Sequence, residues 1–174
     1  IMLQMNFQLF VGMVSFWIKR RENTFIAGES MGGYGAVKIA LNRPEKYEAV
    51  ASLSGVLDYV GFTEMVLAGN WEDMSPQEIQ SFHGEAGKPE EWENPLFLVE
   101  KLAKDENRPR LIQFCGTEDF LYENNQKMTT NDLAERLIIE VINYEESADR
   151  ILIFLLFVKA VLLFFHSCAS GIRI

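Results

Sequence analysis

Short apolar runs bounded by glycine or proline recur along the chain and set its expected elements. Thr24-Phe25-Ile26-Ala27 is apolar and partly β-branched and stops at Gly28, as a buried strand does. Ala49 to Leu53 reads as a second strand closed by Ser54-Gly55. Arg110 to Cys115 reads as a third, ended by Gly116, and Ile139 to Tyr144 as a fourth. Between them, Tyr34 to Leu41 suits a helix closed by Pro44. Pro95 to Lys104 suits another, with proline at the first position, where an N–H has no helical partner. Residues 123–137 read as a polar-faced helix, and residues 61–94 as an irregular, cap-like insertion with one short helix after Ser75-Pro76. Strands separated by helices of this length predict an α/β fold, a parallel sheet covered on both faces.

The two ends follow a different pattern. Residues 1–18 hold 13 apolar side chains, with Gln4, Gln8, Ser15 and Lys19 on one helical stripe, which predicts a helix buried on most of its circumference. Residues 151–165 hold 14 apolar side chains and one lysine, a run too short to span a bilayer unless it extends past Lys159 and His166. Core helices are the expectation here rather than a membrane anchor. The chain therefore divides into an apolar helix over 1–20, a core over 21–150 and an apolar C-terminal helix over 151–174.

Charge sharpens that division. All 25 acids lie between Glu22 and Asp149, whereas five of the 16 cations lie outside residues 22–150, leaving 11 cations inside. The formal net charge of −9 argues against broad contact with phosphate backbones, so no nucleic-acid partner is expected. Two cysteines, Cys115 and Cys168, make no disulfide framework, and no Cys/His set has zinc spacing. Met2, Met5 and Met13 read as core filling rather than a thioether metal site. No export signal is legible, which predicts a cytoplasmic protein.

Chemistry concentrates at the first strand–helix junction. Gly28-Glu29-Ser30-Met31-Gly32 fits G-x-S-x-G between a strand and a helix, as a nucleophile elbow requires. Gly28, Gly32 and Gly33 permit the tight turn and the close passage of neighbouring backbone. Ser30 would then project above the sheet at a helix start, with the Met31 N–H as one oxyanion donor. The plain alternative is a glycine-rich turn whose serine caps the helix.

The segment from Glu22 to Ala36, through Gly28-Glu29-Ser30-Met31-Gly32-Gly33-Tyr34-Gly35, resembles the esterase D-type branch of the α/β-hydrolases, which includes tributyrin esterases and S-formylglutathione hydrolases. Ser52-Leu53-Ser54-Gly55 and Cys115-Gly116-Thr117-Glu118-Asp119-Phe120-Leu121-Tyr122 match the same family. The resemblance runs with gaps from about residue 21 to 149. It implies an α/β-hydrolase fold and a serine carboxylesterase acting on short acyl esters, a small-molecule substrate, without cofactor or metal.

It also places the triad acid on Asp119, in the loop after the third strand; Glu118 beside it and Asp58 after the second strand are the rivals. Chain order in this fold runs Ser, Asp, His. His83 precedes Asp119 and so falls outside that order, as a surface or cap histidine. His166 satisfies it, but stands among Phe164, Phe165, Ser167 and Cys168, where the family has a His-Asp-Trp-type loop soon after a segment like Tyr144-Glu145-Glu146-Ser147. Few strands precede the elbow, so the first strand of the sheet is left with an open edge, open to a partner or a second copy. Three functions remain: carboxylesterase, acyltransferase with the same nucleophile, and a non-catalytic binding module or inactive remnant. Trp71 and Trp92, in acid-rich surroundings, are the candidate lining of an acyl pocket.

Overall fold

A computed structural model describes residues 2–6, 20–131, 138–144 and 159 of the chain. Five strands form one sheet in the order β1-β2-β3-β4-β5, which is also their order in sequence: Met2–Asn6, Thr24–Glu29, Ala49–Leu53, Arg110–Gly116 and Ile138–Tyr144. β2 to β5 are parallel, whereas β1 runs antiparallel to β2 with Met2 opposite Gly28 and Asn6 opposite Thr24. Helices α1 (Met31–Asn42), α2 (Tyr59–Leu67), α3 (Pro76–His83), α4 (Pro95–Leu102) and α5 (Tyr122–Thr129) fill the crossovers.

Strands β2, β3 and β4 read as largely apolar runs, with Ser52 and Gln113 as buried polar exceptions, because both of their faces are buried. Ile26, Val50 and Leu111 pack with Val37, Ala40 and Leu41 of α1, Leu98, Val99 and Leu102 of α4 and Met128 of α5. The alternate residues Phe25, Ala51, Leu53, Ile112 and Phe114 are buried as well. A second apolar cluster joins Tyr34, Val56, Phe62, Val66, Ile79 and Leu121 where α2 and α3 meet α1. Cys115 is buried near the end of β4. No helix among the described residues is long and apolar enough to cross a membrane.

The structure corrects three expectations. Residues 2–6 are a strand, not part of a helix: the N–H and C=O groups along the edge of β2 need partners, and an adjacent extended segment supplies them. That strand covers the edge expected to be open; residues 7–19 lie outside the described ones. The 61–94 insertion has the one short helix expected after Ser75-Pro76, but it is less irregular than expected. It contains the end of α2, then α3 with a Ser75/Glu78 capping box and Pro76 at its first position, and a single 3-10 turn at Glu91–Glu93. α5 stops at Thr129, where the hydroxyls of Thr129 and Thr130 both donate to the Gln126 carbonyl at 2.9 Å, competing with continuation of the helix. The last six residues of that expected helix, 132–137, and the expected C-terminal helix 151–174 apart from Lys159, His166 included, lie outside the described residues.

Candidate active site

β2 ends at Glu29 and α1 begins at Met31, so one residue, Ser30, makes the whole strand-to-helix turn. Its backbone sits at φ 52° and ψ −121°, in the left-handed region that side chains rarely adopt. Glycines allow this. A Cβ on Gly28 would collide with the Gly32 carbonyl and come within 2.8 Å of the Gly33 nitrogen. One on Gly33 would lie 2.8 Å from Ser52 Oγ and 3.1 Å from the Gly28 carbonyl oxygen. The helix therefore passes over the strand at a separation only glycine permits.

Ser30 is exposed, and although it occupies the N-cap position its side chain makes no capping hydrogen bond. The hydroxyl is not consumed by the helix. Met31, the first residue of α1, is 61% exposed, and amides of a helix's first turn have no intrahelical acceptor.

Asp119 lies on the same edge of the sheet, two strands away. The register aligns Glu29, Leu53 and Phe114, so the turns after β2, β3 and β4 open on one side. Two bonds stitch them together, from Ser30 N–H to the Leu53 carbonyl and from Ser54 N–H to the Phe114 carbonyl, each 2.8 Å. The half-buried Asp119 carboxylate accepts the Leu121 N–H through Oδ1 at 2.8 Å, while its carbonyl accepts from Tyr122 N–H at 2.8 Å. Glu118 is exposed to solvent. Asp58, 6% exposed, is committed elsewhere: Oδ1 caps α2 through Gly61 N–H at 3.0 Å and Oδ2 accepts Lys127 Nζ at 2.6 Å. That bond holds the Lys127 ammonium above its ordinary range.

His83 is the one histidine among the described residues, and its ring is occupied. Nε2 lies 3.0 Å from the Tyr59 hydroxyl and Nδ1 3.3 Å from Glu93 Oε2, with the side chain 6% exposed. It is a buried cap histidine. Tyr34, stacked on Tyr59 at 4.6 Å, donates its hydroxyl to the Glu93 carbonyl at 2.9 Å. Burial first, then the proximity of Tyr59 and Glu93, pushes the Tyr34 phenol far above its usual range.

The two candidate tryptophans separate. Trp71 packs edge-on against Phe62 at 5.3 Å and against Phe120 at 4.8 Å, beside Asp119. Trp92 lies under Lys38 Nζ at 4.3 Å and lines, with His83, Lys88, Phe97 and Lys101, an open groove of about 610 Å³ that includes neither Ser30 nor Asp119.

Sequence reasoning missed the residues that hold the turn after β3. Asn124 Oδ1 accepts the amides of Leu57 and Asp58 at 2.9 and 3.0 Å, and its Nδ2 donates to the Asp58 carbonyl at 2.8 Å. Asn125, fully buried, donates to the carbonyls of Gly55 and Leu121 at 2.9 and 3.0 Å and accepts from Gln113 Nε2 through its own carbonyl at 3.1 Å. Two adjacent asparagines inside a helix, where their propensity is poor, were the available signal.

Known proteins share this architecture. The acetyl esterase of Caldicellulosiruptor saccharolyticus is 27% identical over 121 residues, covering 63% of this chain and 42% of that protein. Among solved structures, the substrate-bound fluorophosphonate-binding serine hydrolase F of Staphylococcus aureus matches with a TM-score of 0.55 at 24% identity, covering 90% of this chain and 56% of the other. The S-formylglutathione hydrolase of the same organism gives 0.54 at 23%, covering 89% and 56%. Esterase B of Lactobacillus rhamnosis gives 0.63 at 15%, covering 84% and 54%. The chain thus spans about half the length of these relatives. The model of the family described as "Putative esterase" matches residues 15–144, which is most of the chain. On that match the chain belongs to this esterase family, and its parallel sheet flanked by helices is a partial α/β-hydrolase fold.

Proposed function

We propose that the chain carries the nucleophile and acid of a serine carboxylesterase acting on short-chain acyl esters or thioesters. One observation supports this reading above others: Ser30 presents an exposed, uncapping hydroxyl from a strained left-handed backbone, on the sheet edge that also bears Asp119.

In the reaction, Ser30 Oγ attacks the ester carbonyl carbon as an imidazole takes its proton. The carbonyl oxygen, now negative, is held by the Met31 N–H, and the N-terminus of α1 favours the same charge. Collapse breaks the bond to the alcohol or thiol, which leaves with the proton from the imidazolium. Water then attacks the acyl-enzyme by the same route in reverse and releases the acid. Asp119 orients the imidazole and stabilises its cation. His166 satisfies the chain order for the base.

A second reading, a non-catalytic module of the same fold, is favoured by the engagement of His83 with Tyr59 and Glu93, which leaves no uncommitted imidazole among the described residues. A fluorophosphonate probe separates the two. Covalent labelling at Ser30, lost in Ser30→Ala, is the outcome for the hydrolase, and an unlabelled wild-type chain is the outcome for the module. Varying the acceptor after trapping the acyl-enzyme distinguishes a hydrolase from an acyltransferase.

A further inference from the structure

We infer that Tyr59, His83 and Glu93 are positioning residues that fix the oxyanion donor through Tyr34, a role that rests on the assignment of Ser30 as nucleophile. The four residues close a ring, one from each of four elements. The Tyr34 ring of α1 stacks on Tyr59 of α2 at 4.6 Å. The Tyr59 hydroxyl meets His83 Nε2 at the end of α3 at 3.0 Å. His83 Nδ1 stands 3.3 Å from Glu93 Oε2 in the 3-10 turn. The Glu93 carbonyl accepts the Tyr34 hydroxyl at 2.9 Å, which completes the circuit.

The chemistry of the ring gives it one direction. A carboxylate can only accept, so it favours the imidazole tautomer with its proton on Nδ1, and Nε2 is left to accept the Tyr59 O–H. Glu93 is held in turn: Oε1 accepts Lys38 Nζ at 3.4 Å and Oε2 accepts the Glu90 N–H at 3.0 Å. Each member is at least half-buried, so removing one strands a polar partner away from water.

The link to the site is covalent geometry. Tyr34 N–H donates to the Ser30 carbonyl at 3.0 Å. That carbonyl and the Met31 N–H belong to one planar peptide unit, so the direction of the first fixes the direction of the second. Anchoring Tyr34 at its ring and hydroxyl therefore aims the Met31 N–H. A small rotation of this peptide would take the donor out of line with the developing oxyanion, where alignment matters most.

The test compares His83→Gln, His83→Leu and Tyr59→Phe with wild type in full-length protein. It measures the rate of fluorophosphonate labelling at Ser30, kcat and KM on p-nitrophenyl acetate, and the ¹⁵N–¹H shift and hydrogen exchange of the Met31 amide. Glutamine can donate to Glu93 and accept from Tyr59, whereas leucine does neither. We expect His83→Leu and Tyr59→Phe to slow labelling and lower kcat by about tenfold or more with KM nearly unchanged. The Met31 amide signal should move with them, and His83→Gln should recover most of each change. Equal rates and an unmoved Met31 amide in His83→Leu, or glutamine faring no better than leucine, overturns the inference. Should His83→Leu fail to fold, Tyr59→Phe, which removes one oxygen, decides alone. Should wild type not label, the nucleophile assignment falls, and the Met31 amide signal across the variants still decides whether the ring aims that peptide.

Discussion

The amide of Ser30 donates to the carbonyl of Leu53 at 2.8 Å, one rung beyond the last register pair of β2 and β3, Glu29 and Leu53. The parallel ladder thus continues into the turn, and the positive φ of Ser30 is held by the neighbouring strand rather than by its own helix. That bond also commits the Ser30 N–H, so the next amide, that of Met31, is the one free to face an incoming oxygen.

Ser30→Ala should remove hydrolysis and leave stability within about 0.5 kcal/mol, because the exposed hydroxyl caps nothing. Loss of a nucleophile lowers turnover by up to about 10⁶. Activity on a short p-nitrophenyl ester and a urea melt check both halves.

Gly28→Ala should destabilise strongly, by about 3 kcal/mol, because its Cβ would meet backbone atoms of Gly32 and Gly33 that cannot turn aside. Unchanged unfolding in urea would mean that α1 does not cross β2 so closely.

Asp119→Asn should keep the bond from Leu121 N–H, since an amide oxygen also accepts, yet lower kcat by about 10⁴ through loss of the charge that orients and stabilises the imidazolium. Glu118→Gln, on an exposed side chain, should leave kcat unaltered. Asp58→Asn should act on stability, because it weakens the contact with Lys127. Steady-state rates and melts on the three variants separate the roles.

Alkaline pH should weaken the fold from about pH 10 upward. Tyr34 and Tyr59 are raised chiefly by burial, so the unfolded chain gives up these phenolic protons first, and stability present below the ordinary tyrosine value is lost as pH rises through it. Lys127, raised by Asp58, adds a loss of the same sign above its own ordinary value. Phenolate absorbance near 295 nm should therefore rise together with unfolding for these tyrosines, and Lys127→Met should flatten part of the pH dependence.

Trp71→Ala should change the relative kcat/KM for acetyl and longer acyl esters, because Trp71 and the 71% exposed Phe120 form an aromatic wall beside Asp119. Trp92→Ala should leave that preference alone, since Trp92 lies in the groove with His83 and Lys101. A chain-length series of p-nitrophenyl esters is the measurement.

Strands β2, β3 and β4 and helix α4 were legible because burial on both faces makes a strand predominantly apolar and because Pro95 marks a helix start. The elbow was legible because few sequences combine those glycines with a serine between a strand and a helix. Helix α1 starts three residues earlier than its propensity suggests: Gly32 and Gly33 are poor helix formers, and packing on β2 decides where the helix begins. Helix α2 was not legible. Its apolar residues Tyr59, Val60, Phe62, Met65, Val66 and Leu67 surround the axis and blur the period, and Gly61 looks like a breaker although its N–H serves the Asp58 cap. Strand β1 was misread because the polar residues spaced along 1–18 match a helical stripe, while its five residues pair through backbone groups that carry no side-chain signature. Chain order sets His83 outside the expected triad, but its place in a ring spanning four elements depends on contacts up to 59 residues apart, which local pattern cannot reveal.

The asparagine pair of α5 also constrains the order in which the molecule can assemble. Asn124 and Asn125 reach back 66 to 70 residues to hold Gly55, Leu57 and Asp58, so the bend after β3 gains its bonds only after β4 and α5 have docked. Closing a loop of that length costs entropy before any contact repays it, which places the step late in folding. The elbow itself is more local and can form earlier, within the βαβ stretch of residues 24–53 from β2 through α1 to β3. The molecule would thus pass through a stage in which its serine already stands on its turn while the walls around it are unfinished, and maturation of the site becomes the slow event rather than formation of the nucleophile's own backbone.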